Sequence, residues 1–260
     1  MHVIHLHRLL NHAGESGIRR TAKEQGIPVR GSLFKAHKCV GCSMAKIRHR
    51  AIPRSTEARA GTPYSRIFID LTGPKLWTHG GNTYAMVIVD DASRYADIAL
   101  LKKKNDAAGA LRKWHKSTVI PAGVKVDFVR HDPGGEFQGG AFEELLQEMG
   151  ARNEETNTGT PQQNGVAEHR LALIDEGARA SLYSAGLGGK LWLWGEAYNM
   201  ATFILNRTRT SSNNGKSPYL RLHREVDPMY NIPPFGTPGF YQADPAHKLA
   251  PRGRECIMLG

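Results

Sequence analysis

Apolar and polar positions change rhythm several times along the chain. From Tyr64 onward, SRIFIDL, NTYAMVIVD and YADIALL are short runs of strand-forming residues bounded by Gly, Pro, Asn or Asp, and they predict three consecutive strands. AAGALRKWHKSTVI then shifts to helical spacing, VKVDFVRHD alternates like a strand, AFEELLQEMG reads as a short helix, and ARNEET as another strand. A polar loop, NTGTPQQNG, precedes a long helical pattern from about Val166 to Ala185, and KLWLWGEAYNMATFILNR predicts one more amphipathic helix. After Arg207, Gly, Pro, Ser and Asn dominate, which predicts a loop-rich tail with short strands.

Three strands followed by helix, strand, helix, strand, helix is what an antiparallel meander continued by strand–helix units produces. The expected class is α/β, a mixed five-stranded sheet with flanking helices, in the order of a ribonuclease-H-like fold. A basic segment bearing His and Cys precedes it to about Arg50, and the polar stretch AIPRSTEARAGTP links the two. The expected domains are therefore a small helical module over 1–52, a core over 60–207 and a loop-rich extension over 208–260.

With 260 residues, 40% of them hydrophobic, the chain has enough apolar surface for a core. Its longest apolar runs, such as Tyr84 to Val89, fall far short of the roughly 18 residues of a membrane span, so no membrane partner is expected. The opening MHVIHLHRLLNH breaks the apolar stretch that a secretion signal needs, and three cysteines argue against a disulfide scaffold. Net charge is +11 and uneven: residues 1–60 hold 12 Lys and Arg against 3 Asp and Glu, while the rest is nearly balanced. Such asymmetry points to a polyanionic partner.

Two constellations carry chemistry. His7 and His12 are separated by four residues, Cys39 and Cys42 by two, with 26 residues between the pairs. A Cys-x2-Cys turn grips one face of a tetrahedral ion and two histidines a turn apart supply the other, so a structural zinc is expected. His2, His5 and His37 are close by in sequence, and His5 is an alternative to His7 as first ligand. With all four positions filled by protein, this metal would scaffold and not react.

The second constellation is acidic. Asp70 ends the first predicted strand, Asp132 ends the fourth, and Glu168 lies near the start of the long helix, with 35 residues between it and Asp132. In a ribonuclease-H-like sheet those strands are neighbours. Three carboxylates drawn together repel unless divalent cations neutralise them, and hard cations such as Mg²⁺ prefer oxygen ligands and keep positions for substrate phosphates. Two such ions support in-line displacement at phosphorus.

These motifs, in this order, resemble the integrase region of copia-type LTR-retrotransposon polyproteins across nearly the whole chain. HRLLNHAG and CVGCSMAK are similar to its zinc-binding segment; FIDLTGP, IVDDASRYADIALLKKK, VRHDPGGEF, TPQQNGVAEHR, LWGEAYNMATFILNRT, KSPYLRLH and KLAPRGRECIMLG follow in the family's order. The resemblance implies that Asp70, Asp132 and Glu168 are the catalytic triad and that Mg²⁺ or Mn²⁺ is the cofactor. It also implies that retroelement ends and target DNA are the substrates, with a homo-oligomer acting in the nucleus after a cytoplasmic stage. The sequence departs from the family pattern at His131, Pro133, His169, Leu171 and Ala172. A DNA-binding chain without chemistry and a nuclease of the same fold acting on RNA–DNA hybrids remain alternatives at this point.

Gln162, Gln163, Asn164 and Arg170 flank Glu168 and are expected to contact DNA. Asp90 and Asp91 are expected to be structural, although close to the carboxylate site, and Glu136 to cap or to touch substrate. Lys102, Lys103 and Lys104 could touch phosphate, but a charge run of this kind is more often a solvated strand exit. Trp192 and Trp194 are expected in the core, and Cys256 as a buried free thiol.

Overall fold

The computed structural model describes residues 1–33, 39–45, 59–132, 134–137, 139–155, 164–229, 231–243 and 252–260. Two short helices, α1 (Val3–Leu9) and α2 (Glu15–Glu24), open the chain, and α3 (Val40–Ala45) follows. A meander then comprises β1 (Arg66–Thr72), β2 (Tyr84–Asp90) and β3 (Ala96–Leu101). Beyond it come α4 (Ala107–Trp114), β4 (Phe128–His131), α5 (Gly140–Met149), β5 (Arg152–Glu155), α6 (Gly165–Ser184) and α7 (Trp194–Arg207).

The sheet order is β3-β2-β1-β4-β5, with β1 antiparallel to β2 and parallel to β4, and β4 parallel to β5. This is the mixed five-stranded sheet with flanking helices expected of a ribonuclease-H-like fold. The predicted strand over 124–132 contracts to Phe128–His131 because its partner β1 begins only at Arg66, which sits level with Phe128. Residues before Phe128 have no strand beside them to complete a ladder.

Alternation along the strands divides the core into two layers. Ile67, Ile69, Met86 and Ile88 face α4 and α5, meeting Leu111, Phe142 and Leu145. Phe68, Ala85, Val87 and Val89 face the other way, toward Ile174 and Ala178 of α6 and Tyr198 and Ile204 of α7. The second layer continues into the amino-terminal helices, where Val3, Leu6, Leu9 and Ile18 are fully buried in the same cluster. The helix α6 is thus a shared wall.

The tail is loop-rich as expected, with α8 (Pro218–His223) and a hairpin of β6 (Pro238–Gln242) and β7 (Gly253–Ile257). Two expectations are corrected here. Cys256 is exposed and not buried, because no layer covers the face of the two-stranded hairpin that carries it. Trp192 is 43% exposed while Trp194 is buried. Residues Leu191–Leu193 form a 3-10 turn ahead of α7, and its tighter winding swings Trp192 outward from the stripe that Leu193 and Trp194 share.

Candidate functional site

His7 lies in the last turn of α1 and His12 follows just beyond the helix, with Asn11 and His12 held at φ 51° and 57°. This left-handed pair, tolerated best by residues such as Asn and His, folds the chain back so that both rings lie on one side. Both histidines are buried, at 5% and 3% exposure. The His7 ring donates from Nδ1 to the Ala13 carbonyl at 2.8 Å, which directs Nε2 toward Cys42 Sγ, 3.3 Å away. Cys39 Sγ lies 3.3 Å from His12 Nδ1.

The four ligand atoms all lie within 4.8 Å of one another. Zn–S bonds of ~2.3 Å and Zn–N bonds of ~2.0 Å space sulfur from nitrogen by about 3.5 Å in a tetrahedron, so the set fits a zinc ion. His7 is the member, and the alternative His5 lies instead on the wall of a cavity of about 570 Å³ beside His2 and Arg8.

The centre is seated on α6 by two close approaches. A Cβ on Gly41, between the cysteines, would come within 2.8 Å of the Ala180 carbonyl, and one on Gly177 would strike the Asn11 side chain. Only glycine leaves room at either place. Sequence spacing finds the four ligands, but nothing in it marks Ala13, Asn11 or Gly177 as their supports.

At the sheet's other functional end, β1 and β4 run side by side with Arg66 level with Phe128 and Phe68 level with Arg130. Continuing that register by two residues sets Asp132, just past β4, level with Asp70. Glu168, in the first turn of α6, meets Asp132. Its carboxyl is raised above the ordinary range, first by partial burial, then by the Asp132 charge and by a hydrogen bond to Asp132. Like charges that close hold a proton unless a cation takes its place, and a carboxylate-only donor set suits a hard divalent ion.

Below the acids, the same face is lined with guanidinium groups. Arg94 and Arg130 flank the Phe68 ring at 5.8 and 5.6 Å, while Arg66 and Arg152 flank Phe128 at 5.4 and 5.9 Å. Glu154 accepts from Arg130 at 2.8 Å and lies 3.3 Å from Arg66, so part of this charge is matched internally.

The neighbours of Glu168 sit differently from expectation. Arg170 is almost fully buried, donates to the Arg94 carbonyl, and is pushed down to about 10, first by burial and then by the Arg94 guanidinium. Asn164 is fully buried and donates from Nδ2 to the Ile69 carbonyl at 3.2 Å. Neither presents its side chain at the surface for a DNA contact, because α6 turns both inward. Asn164 instead ties the start of the helix to the strand residue before Asp70. Gln162, Gln163, His37 and Pro133 lie outside the described residues, as does the side chain of Glu136.

Asp90 and Asp91 are structural, but not close to the acids. Asp90 is level with Ile67, near the beginning of β1, and accepts from the Tyr64 and Ser93 amides and the Ser93 hydroxyl. Asp91 pairs with Arg94 at 2.5 Å. Lys102, Lys103 and Lys104 are exposed at the exit of β3.

No model of a protein family matches the chain. The chain is 33% identical over 204 residues, 78% of its length, to the retrovirus-related Pol polyprotein from transposon TNT 1-94 of Nicotiana tabacum. It is 24% and 22% identical over 258 residues, 98% of its length, to those from transposons RE1 and RE2 of Arabidopsis thaliana. It spans 15% of the first polyprotein and 17% of the other two.

Proposed function

With homologues that are copia-type retrotransposon Pol polyproteins, this chain, we propose, is the integrase region of such a polyprotein, a polynucleotidyl transferase acting on DNA. The observation that carries the reading is the hydrogen bond between Glu168, in the first turn of α6, and Asp132, which the register of β1 and β4 sets level with Asp70. A divalent ion of the Mg²⁺ or Mn²⁺ class, when bound, supplies charge stabilisation to the attacking and leaving oxygens at phosphorus.

The three carboxylates would hold that ion, and Asn164 keeps Glu168 in reach by anchoring the start of α6 to Ile69. The guanidinium groups of Arg130 and Arg66 give the face leading to the acids a positive character suited to phosphodiester oxygens. The two chemical steps are hydrolysis of a phosphodiester near the element's 3′ end, which frees a 3′ hydroxyl, and attack of that hydroxyl on a target phosphodiester with departure of a target 3′ oxygen. The His2Cys2 centre takes no part in either; it fixes α1 and α3 against α6. The proposal includes DNA as partner, self-association to bridge two ends, action in the nucleus, and the three-part division at residues 1–52, 60–207 and 208–260.

The test is strand transfer with Mn²⁺, using oligonucleotides that carry the element's own termini, on the wild-type chain and on Glu168→Gln. Joined products from the wild type and none from the variant are expected. Absence of both nicking and joining in the wild type, with DNA bound and zinc in place, would overturn the enzymatic reading.

A further inference from the structure

The loop between β1 and β2 carries a feature that the three carboxylates and the His2Cys2 centre do not explain. It is a closed turn: Lys75 N donates to Thr83 O at 2.7 Å, Thr78 N to Asn82 O at 3.0 Å, and Asn82 N to Thr78 Oγ1 at 3.0 Å. At its tip Trp77 stands 75% exposed. A large indole held in water by an ordered turn is an unsatisfied apolar surface.

A second exposed indole is brought to the same place from far along the chain. The Trp194 indole N–H donates to the Leu76 carbonyl at 2.5 Å, which ties the head of α7 to the loop. Trp192, on the turn leading into α7, lies against His79 with ring centroids 6.3 Å apart. The loop and the turn into α7 also carry cations. Lys102 runs beside Gly81, Lys190 is two residues before Trp192, and both are exposed.

We propose that Trp77 and Trp192, with Lys102 and Lys190 around them, form a stacking platform for unpaired nucleotides of single-stranded DNA. Exposed aromatic faces alternating with lysines are what sequence-tolerant single-strand binding requires, since every base offers a π face and every linkage a negative charge. A blunt duplex hides its base faces and cannot use the indoles. The surrounding positive charge favours a polyanion over an apolar protein surface.

Position gives the platform a role. The loop leaves β1 directly after the strand that carries Asp70, and Lys75 reaches Asp175 on α6, 3.1 Å away and two turns beyond Glu168. The platform is thereby tied both to the strand that carries Asp70 and to the helix that carries Glu168. This role rests on the proposed action on DNA; the binding itself does not.

The experiment uses the full 260-residue chain without added divalent ions, titrated with labelled oligo(dT) of about 20 nucleotides and with a blunt duplex. Tryptophan emission should fall on binding oligo(dT), and Trp77→Ala and Trp192→Ala should each weaken that binding about 5- to 100-fold. Trp77→Phe should retain most of it. Lys102→Ala and Lys190→Ala should each lower the slope of log affinity against log salt by about 0.7. Unchanged oligo(dT) affinity in both alanine variants overturns the proposal. Loss of self-association in those variants, with oligo(dT) affinity unchanged, also overturns it and makes the face a protein contact. Tryptophan-dependent binding in a chain that joins no DNA upholds the platform and fails only the proposed chemistry.

Discussion

The His/Cys centre and the carboxylate cluster are both groups of metal-ligating side chains, and the fold treats them in opposite ways. The first has both histidines buried and both cysteines half-buried, is closed by four ligand atoms within 4.8 Å, and is oriented by the Ala13 carbonyl behind His7. The second stands at the open end of two strands, where Glu168 is itself exposed and shares a hydrogen bond with Asp132. Four-ligand closure leaves no position for substrate, whereas an all-oxygen site at a sheet end leaves several. Backbone support thus goes to the centre that holds the structure, and like charge shared through a hydrogen bond to the one proposed to do chemistry.

The largest effect should come from opening the closed centre. Cys42→Ser should reduce bound zinc from one ion per chain to near zero by elemental analysis and remove hydrogen-exchange protection from α1. Structural zinc in small modules is worth roughly 10 to 16 kcal/mol of binding. If α1 stays protected after zinc is lost, packing on α6 and not the metal holds the module, and the contrast collapses.

Next, Glu168→Gln should lower any metal-dependent DNA joining by about 100-fold or more. The same change should leave the metal-free melting temperature unchanged or slightly higher, because a neutral amide relieves the Asp132 repulsion. A large fall in melting temperature would mean the carboxylate is a structural element.

Smaller again, Gly177→Val should cost about 1 to 3 kcal/mol by forcing Asn11 from α6. Zinc content should persist, so chemical denaturation read beside zinc release separates docking of the module from formation of its centre. Equal loss of both would make them one unit.

The smallest effect provides a control. Asp97, on β3, is raised as Glu168 is, chiefly by burial, but its partner is the Trp114 indole N–H at 2.7 Å and it faces no second acid. Its folded form binds a proton more tightly than the unfolded chain. Stability from this group is full below the unfolded value of about 3.9 and is lost as pH rises through the folded one. Asp97→Asn should flatten that slope in thermal melts between acidic and neutral pH without touching DNA joining. Burial alone raises a carboxyl without marking function; what separates Glu168 from Asp97 is a neighbouring carboxylate that raises it further.

Strand order was legible because β1 and β2, buried on both faces, read as short continuous apolar runs, and the helical stripe of α6 reflects burial on one side. The four zinc ligands were legible for a similar local reason, since short spacing already puts His7 beside His12 and Cys39 beside Cys42. Arg170 was misread because residues two apart on a helix point in different directions, and Asn164 because, ahead of α6, it turns under the helix start to the Ile69 carbonyl. Trp77 carried no periodic signal at all.

The sequence by itself determined the elements, the sheet class and the ligand pairs, all set by spacings of a few residues. Tertiary structure decided which way Arg170 turns, that Gly41 and Gly177 seat the metal centre on α6, and that Trp192 comes within ring contact of His79 in the loop that displays Trp77. Those depend on surfaces that meet only when segments a hundred residues apart are packed, and packing is a property of the closed core and not of any local stretch.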